Sequence, residues 1–295
     1  MKKEPIFRGA ATALITPMTE HGVDYESLGR LIDWQIAEGI DALVIVGTTG
    51  EKSTLKNDEH LEVVRYAAQR AAHRVPVIAG TGSNDTDHAI MMSREACALG
   101  ADALLVVTPY YNKATQNGLI KMYTAIADAA EKPLIIYNVP SRTGVGIEPE
   151  TYAALADHPN IYGIKEANSD IAKIVKTAAL VGDRLALYSG NDDQIVPILA
   201  MGGLGVISVL SNLMPKQTSE LCHRFLDGDV EGSREMQCRF LPLINALFSE
   251  VNPIPVKAAM AAMGFCENYL RLPLTPMEDA HWQTLRALMQ EQGLL

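Results

Sequence analysis

The sequence predicts an α/β fold, a (β/α)8 TIM barrel with a C-terminal helical extension. Eight short β-branched and apolar runs recur along the first two-thirds of the chain, and each is followed by a longer segment of helical spacing. Most of the runs are nearly continuous in Val, Ile, Leu and Ala, as strands covered on both faces of a parallel sheet should be. A doubly wound sheet is the competing arrangement. It would more often carry a Gly-x-Gly-x-x-Gly fingerprint after a strand, and none occurs here. The 295 residues suit two average domains, but α/β barrels of roughly 250 residues fold as one.

The runs, in order, are GAATALITPM (9–18), ALVIVGTTG (42–50), VPVIAGTG (75–82) and ALLVVTPYY (103–111). PLIIYNVP (133–140), IYGIKEA (161–167), LALYSGND (185–192) and GVISVLSN (205–212) complete the set. Between them, YESLGRLIDWQIAEG places Leu28, Leu31, Ile32 and Gln35 three and four apart and stops at Gly39. DEHLEVVRYAAQRAA and TDHAIMMSREACALG follow the same spacing. After residue 215 the strand runs cease and four helical segments follow, KQTSELCHRFLDG, VEGSREMQCRFLPLINALF, IPVKAAMAAMG and MEDAHWQTLRALMQEQG. The first completes the eighth unit. The expected organisation is therefore a barrel over residues 1–225 and a helical extension over 226–295 packed on it, with no linker between them.

Composition narrows the function. Hydrophobic residues make up 48% and charged residues 20%, enough apolar material for a large core. The net charge of −10 argues against nucleic acid or an anionic membrane as partner, while leaving room for a small anionic substrate in a locally positive pocket. Cys97, Cys222, Cys238 and Cys266 form no C-x-x-C pair and read as four buried thiols of a cytoplasmic protein. The start, MKKEPIFRGAAT, lacks the apolar stretch of a signal peptide, and no run approaches the ~18 residues of a membrane span.

In a barrel the active site lies at the C-terminal ends of the strands. The residues there are Thr16-Pro17, Gly47 to Glu51, Gly80-Thr81-Gly82, Thr108 to Tyr111, Tyr137 to Pro140, Lys165-Glu166, Ser189 to Asp192 and Ser208. The ring has one lysine, several hydroxyls and no cluster of metal-ligating side chains, so no metal is expected. A lysine closing an apolar strand suits covalent chemistry, because desolvation frees the amine to attack a ketone. Tyr137, ending the preceding strand, is placed to move protons. Plainer readings compete. Lys165 can snorkel or pair with Glu166, Tyr137 can be packing, and the threonines of GTTGE can cap a helix.

GTTGE (47–51), YNVPSRTG (137–144), GIKEA (163–167) and NPIPVK (252–257) together resemble the dihydrodipicolinate synthase family of pyruvate-dependent class I aldolases, in order and through nearly the whole chain. The resemblance implies that Lys165 forms the Schiff base with pyruvate and that Tyr137 moves the protons. It implies that Thr48 links Tyr137 to Tyr111, a tyrosine supplied across a subunit interface. The Thr48 and Thr49 amides would hold the pyruvate carboxylate, in a turn expected to open a helix. Arg142 would receive the carboxylate of the aldehyde, and Gly190 and Ile207 would line the pocket. The implied substrates are pyruvate and L-aspartate-4-semialdehyde, with no cofactor, in a homotetramer built as a dimer of dimers. A sugar-acid or N-acetylneuraminate lyase is the alternative within the superfamily, disfavoured by Arg142 and NPIPVK. A non-catalytic metabolite binder is a further alternative, disfavoured by the intact lysine, tyrosine and threonine set. Lysine-regulated members bind the amino acid at positions matching Lys52, Ser53, Asn57, His60, Asn84, His88 and Tyr110. A carboxylate is commonly found where His88 stands and a histidine where Asn57 stands, and Lys52 adds a cation to a cleft for a cation. Weak or absent inhibition by lysine is therefore expected.

Overall fold

The computed structural model describes residues 3–295. Eight parallel strands close into a barrel in sequential order. They are β1 Gly9–Ala13, β2 Ala42–Ile45, β3 Val77–Gly80, β4 Ala103–Val107, β5 Leu134–Asn138, β6 Ile161–Glu166, β7 Ala186–Ser189 and β8 Gly205–Ser208. β8 returns to β1 with Gly9 opposite Gly205, which completes the (β/α)8 barrel. The outer helices are α1 Tyr25–Ala37, α2 Asn57–Ala71, α3 Thr86–Ala98, α4 Gln116–Ala129, α5 Pro149–Leu155, α6 Ile171–Val181, α7 Ile195–Ala200 and α8 Pro215–Leu226.

The strands are shorter than the apolar runs that announce them. The first run ends as a strand at Ala13, and Met18 instead pairs with Val23 in a small antiparallel hairpin before α1. Pro17 between them has no N–H for a ladder. The other runs lose their last residues to the loops above the barrel. Alternation along each strand divides the core in two. Ala11, Ala13, Ala42, Val44, Ile78 and Ile135 fill the interior with Tyr137 and Tyr188. Phe7 plugs the lower end, stacked 4.3 Å from the Tyr188 ring. The other strand faces meet the helices in a larger outer core. Gln35, on the buried stripe of α1, is satisfied there. It accepts from the Thr12 hydroxyl at 2.6 Å and donates to the Ser211 carbonyl at 2.9 Å.

The extension comprises α9 Val230–Ala246, α10 Ile254–Ala262 and α11 Asp279–Glu291. α9 packs on α8 and α11, and α10 packs on the loop after β8. Two of the four thiols depart from the expected burial. Cys97 and Cys222 are buried, but Cys238 is exposed and Cys266 half-buried. Cys238 falls on the solvent face of α9, and Cys266 in the loop after α10. Among the described residues no helix is long and apolar enough to cross a membrane.

Candidate active site

The β5–β6 register sets the centre of the site. Tyr137 and Lys165 are direct cross-strand partners, and so are Asn138 and Glu166. Alternation turns the first pair into the barrel mouth and the second toward the helices. The Lys165 Nζ lies 4.2 Å from the centroid of the Tyr137 ring. Lys165 is only 6% exposed, so it does not snorkel. Burial brings its pKa down to about 7, against the pull of Asp192 and with a push from the Arg142 charge. Burial also raises the Tyr137 hydroxyl, opposed by Arg142 and by a hydrogen bond with Thr48. Glu166 is engaged elsewhere. It accepts from Asn138 Nδ2 at 2.8 Å, from the Tyr152 hydroxyl at 2.9 Å and from the Asn168 amide at 3.0 Å. A buried amine near neutrality, beside a tyrosine and without an ion-pair partner in contact, has the properties of a nucleophile.

A cavity of about 550 Å³ opens above the pair. One wall is the turn after β2, with Thr48 and Thr49; others are Arg142, Gly190 and the 248–252 segment of the extension. The turn does not open a helix as expected. It runs into a single 3-10 turn, Lys52–Thr54, and α2 begins only at Asn57. No protein carbonyl accepts from the Thr48 or Thr49 amide among the described residues. The turn therefore offers free N–H groups rather than a helix dipole. Glu51 holds its shape in the left-handed region, φ 56°. Its carboxylate pairs with Lys257 of α10, both side chains being essentially inaccessible. Lys257 also donates to the Thr16 carbonyl at 2.9 Å. Next to it, Asn252 Nδ2 donates to the Thr49 hydroxyl at 3.0 Å, and the Asn252 carbonyl accepts from Arg142 at 3.1 Å. The GTTGE and NPIPVK motifs, some two hundred positions apart, are one polar assembly.

Gly190 sits where a Cβ would come within 2.7 Å of the Ala167 Cβ, so a side chain there would push into the wall. Ile207 is not on the cavity wall. It fills the interior layer beneath, and Val209, beyond the end of β8, takes the rim position. Tyr111 stands outside the cavity, 92% exposed, with a left-handed φ of 71°. The positions matched to a regulatory cleft partly converge. His88 Nε2 lies 3.0 Å from Asn57 Oδ1. Lys52 reaches the Gly82 carbonyl, and burial takes its pKa to about 8. His60 is buried with its Nε2 unpartnered, and burial, together with the Lys52 charge, takes its pKa to about 4. Asn84 offers its carbonyl to Asn112 at 2.8 Å, Ser53 is exposed, and Tyr110 is half-buried beside Tyr111.

Several site residues had no signal of their own in the sequence. Ser249 to Val251 lie in an aperiodic link between α9 and α10. The buried partner of Glu51 could be sensed only as the lysine of NPIPVK. Asp192 appeared in the strand-end ring without a role. At the rim, Glu250, Glu278 and His281 gather within the reach of a cation. One Glu250 oxygen already accepts from the Glu278 amide at 2.9 Å and is 2.8 Å from His281 Nδ1.

Residues 6–292 match the profile of the dihydrodipicolinate synthetase family. A 4-hydroxy-tetrahydrodipicolinate synthase of Lachnoclostridium phytofermentans is 54% identical over 292 residues, covering 98% of this chain and 99% of that one. A monomeric dihydrodipicolinate synthase variant of solved structure superposes with a TM-score of 0.96 at 45% identity, over 98% of each chain. The enzyme of Cyanidioschyzon merolae, solved with lysine bound, superposes at 0.96 with 38% identity, over 99% of this chain and 100% of that one. The chain belongs to the dihydrodipicolinate synthetase family.

Proposed function

We propose that the chain is a 4-hydroxy-tetrahydrodipicolinate synthase that condenses pyruvate with L-aspartate-4-semialdehyde through an imine at Lys165. The observation that carries this reading is the buried Lys165 amine, near neutrality at about 7 and stacked on Tyr137 beneath a cavity wall of free amides. The Thr48 and Thr49 N–H groups suit the pyruvate carboxylate. The neutral amine adds to the ketone carbon, and Tyr137 passes a proton to the oxygen, which leaves as water. Loss of a methyl proton from the iminium gives an enamine. Its carbon adds to the aldehyde, whose carboxylate Arg142 receives. Attack of the substrate's own amine on the imine carbon closes the ring and returns the free lysine. The iminium is the electron sink, so the route calls for neither metal nor organic cofactor. The reading places the enzyme in the cytoplasm.

Tyr111 has no place in its own cavity. We read it as serving a neighbouring copy through the Thr48–Tyr137 hydrogen bond, in a homotetramer built as a dimer of dimers. Light scattering tests this: a fully active monomer would refute it. The seven cleft positions are read as a degenerate lysine site, because Lys52 and His88 put basic groups where an ammonium would bind. Residues 226–295 are read as an extension completing the active-site wall, not as an independent domain.

The test of the central reading is incubation with pyruvate and borohydride, followed by peptide mass spectrometry. The expected adduct is on Lys165, and a different site or none would overturn it. A panel of aspartate semialdehyde, N-acetylmannosamine and glyceraldehyde then separates the synthase from a lyase.

A further inference from the structure

We propose that Asp192 is the counter-ion of the Lys165 amine and of the iminium formed on it, a positioning residue for the covalent chemistry. The inference deepens the Schiff-base reading and rests on it. Asp192 follows β7, the strand that pairs with β6 and sets Tyr188 opposite Lys165. It is 2% exposed and follows directly on Gly190 and Asn191, which line the same cavity.

The two oxygens of Asp192 are used differently. Oδ2 accepts from the Val209 and Leu210 amides, each at 2.9 Å. Oδ1 is buried and has no hydrogen-bond partner among the described residues. A lone oxygen of this kind costs free energy unless something charged or polar faces it. Lys165 is the complementary case, a buried cation with a ring beside it and no acceptor for its N–H bonds among the described hydrogen bonds. The two groups act on each other, Asp192 favouring the protonated lysine and Lys165 the ionised aspartate.

Other charged and titratable groups facing the pair do not take this role. Arg142 repels the ammonium. Tyr137 offers its ring, and Tyr188 directs its hydroxyl to the Phe7 carbonyl at 2.8 Å. Glu166 faces the opposite side of its strand, held by Tyr152 and Asn138. The neighbouring Ser208 hydroxyl favours the ionised form of Asp192, and Cys222 lies near it as a buried neutral thiol. Burial raises the Asp192 carboxyl, opposed by Ser208, the Val209 and Leu210 amides and the Lys165 charge. The protonated imine is a cation that stays reactive only while it keeps its N–H proton, so a fixed anion beside it stabilises a charge that develops during the reaction.

The experiment compares wild type and Asp192→Asn, isosteric and still able to accept from both amides. The rate of borohydride trapping with pyruvate is followed against pH. Removing the anion makes the ammonium less favoured, so the acid limb should move to lower pH by about one unit or more. The limiting turnover should fall about tenfold or more as the iminium loses its counter-ion. A residue that merely anchors the Val209 loop would change the amplitude and leave the limb in place, and that result overturns the proposal. Ser208→Ala guards against misfolding of the first variant. It weakens the ionised form of Asp192 and should shift the limb the same way by less; an unmoved limb there also counts against the role. A wild type without any pyruvate adduct defeats the Schiff-base reading itself. A wild-type adduct with unmoved limbs in the variants defeats only the counter-ion.

Discussion

Two lysines are buried at the mouth of this barrel, and they have opposite fates. Lys257, on α10 of the extension, is fully inaccessible but rests against the Glu51 carboxylate and the Thr16 carbonyl. Lys165, on β6 of the barrel, has a carboxylate only within electrostatic reach and an aromatic ring at its side. Burial works against the charge of both. Contact with Glu51 opposes it for Lys257, which is held in a buried pair with that carboxylate. For Lys165 burial outweighs the more distant pull of Asp192 and yields an amine poised near pH 7. Burial alone therefore does not make a reactive lysine; the position of the nearest anion decides.

Substitution should break the comparison most sharply at Lys165. Lys165→Met is expected to abolish the pyruvate adduct while leaving thermal stability at neutral pH no lower than in wild type. Mass spectrometry of the reduced protein and a melting curve check both halves. Lys257→Met should do the reverse. It strands Glu51 as a buried unpaired charge, with an expected loss of about 3–5 kcal/mol in denaturant unfolding. Its pyruvate adduct, where the protein folds, should still form on Lys165, with a higher KM for pyruvate because the Thr48–Thr49 turn loses its brace.

Tyr137→Phe keeps the ring beside Lys165 and removes the hydroxyl. Turnover should fall about 10²–10⁴-fold with folding intact, and near-normal turnover would take Tyr137 out of the mechanism.

The pH dependence sharpens the contrast. Lys165 has a folded pKa of about 7, below its ordinary 10.5. Between those values the unfolded chain binds the extra proton, so this lysine makes stability rise with pH across that window and its burial costs most below pH 7. The neutral amine disappears below the same point. The profile of kcat/KM for pyruvate should therefore fall about tenfold per pH unit on the acid side of about 7. A flat profile down to pH 5 would refute the assignment.

The smallest effect is expected from added lysine. Lys52 turns inward to the Gly82 carbonyl, beside a buried His60 and near the His88–Asn57 pair. A second ammonium would meet basic groups there. Initial rates should be almost unchanged at millimolar lysine, and strong sub-millimolar inhibition would show that these residues leave a working site.

The sequence by itself determined the barrel, because a strand covered on both faces must be apolar throughout and a helix on its outside must be apolar on one stripe. It also placed Lys165 and Tyr137 at the barrel mouth, since each ends such a run and the ends of parallel strands face one way. Strand lengths were not legible. Apolar loop residues such as Ile15 and Val209 are buried as deeply as strand residues, and periodicity cannot separate them. Nor could spacing reveal that Lys257 meets Glu51, that Asn252 bridges Thr49 and Arg142, or that Asp192 keeps one oxygen unpartnered. Such contacts join residues that are distant in the chain. They exist only because barrel closure and the docking of the extension bring them together, and tertiary structure alone decided which buried lysine meets a carboxylate in contact and which does not.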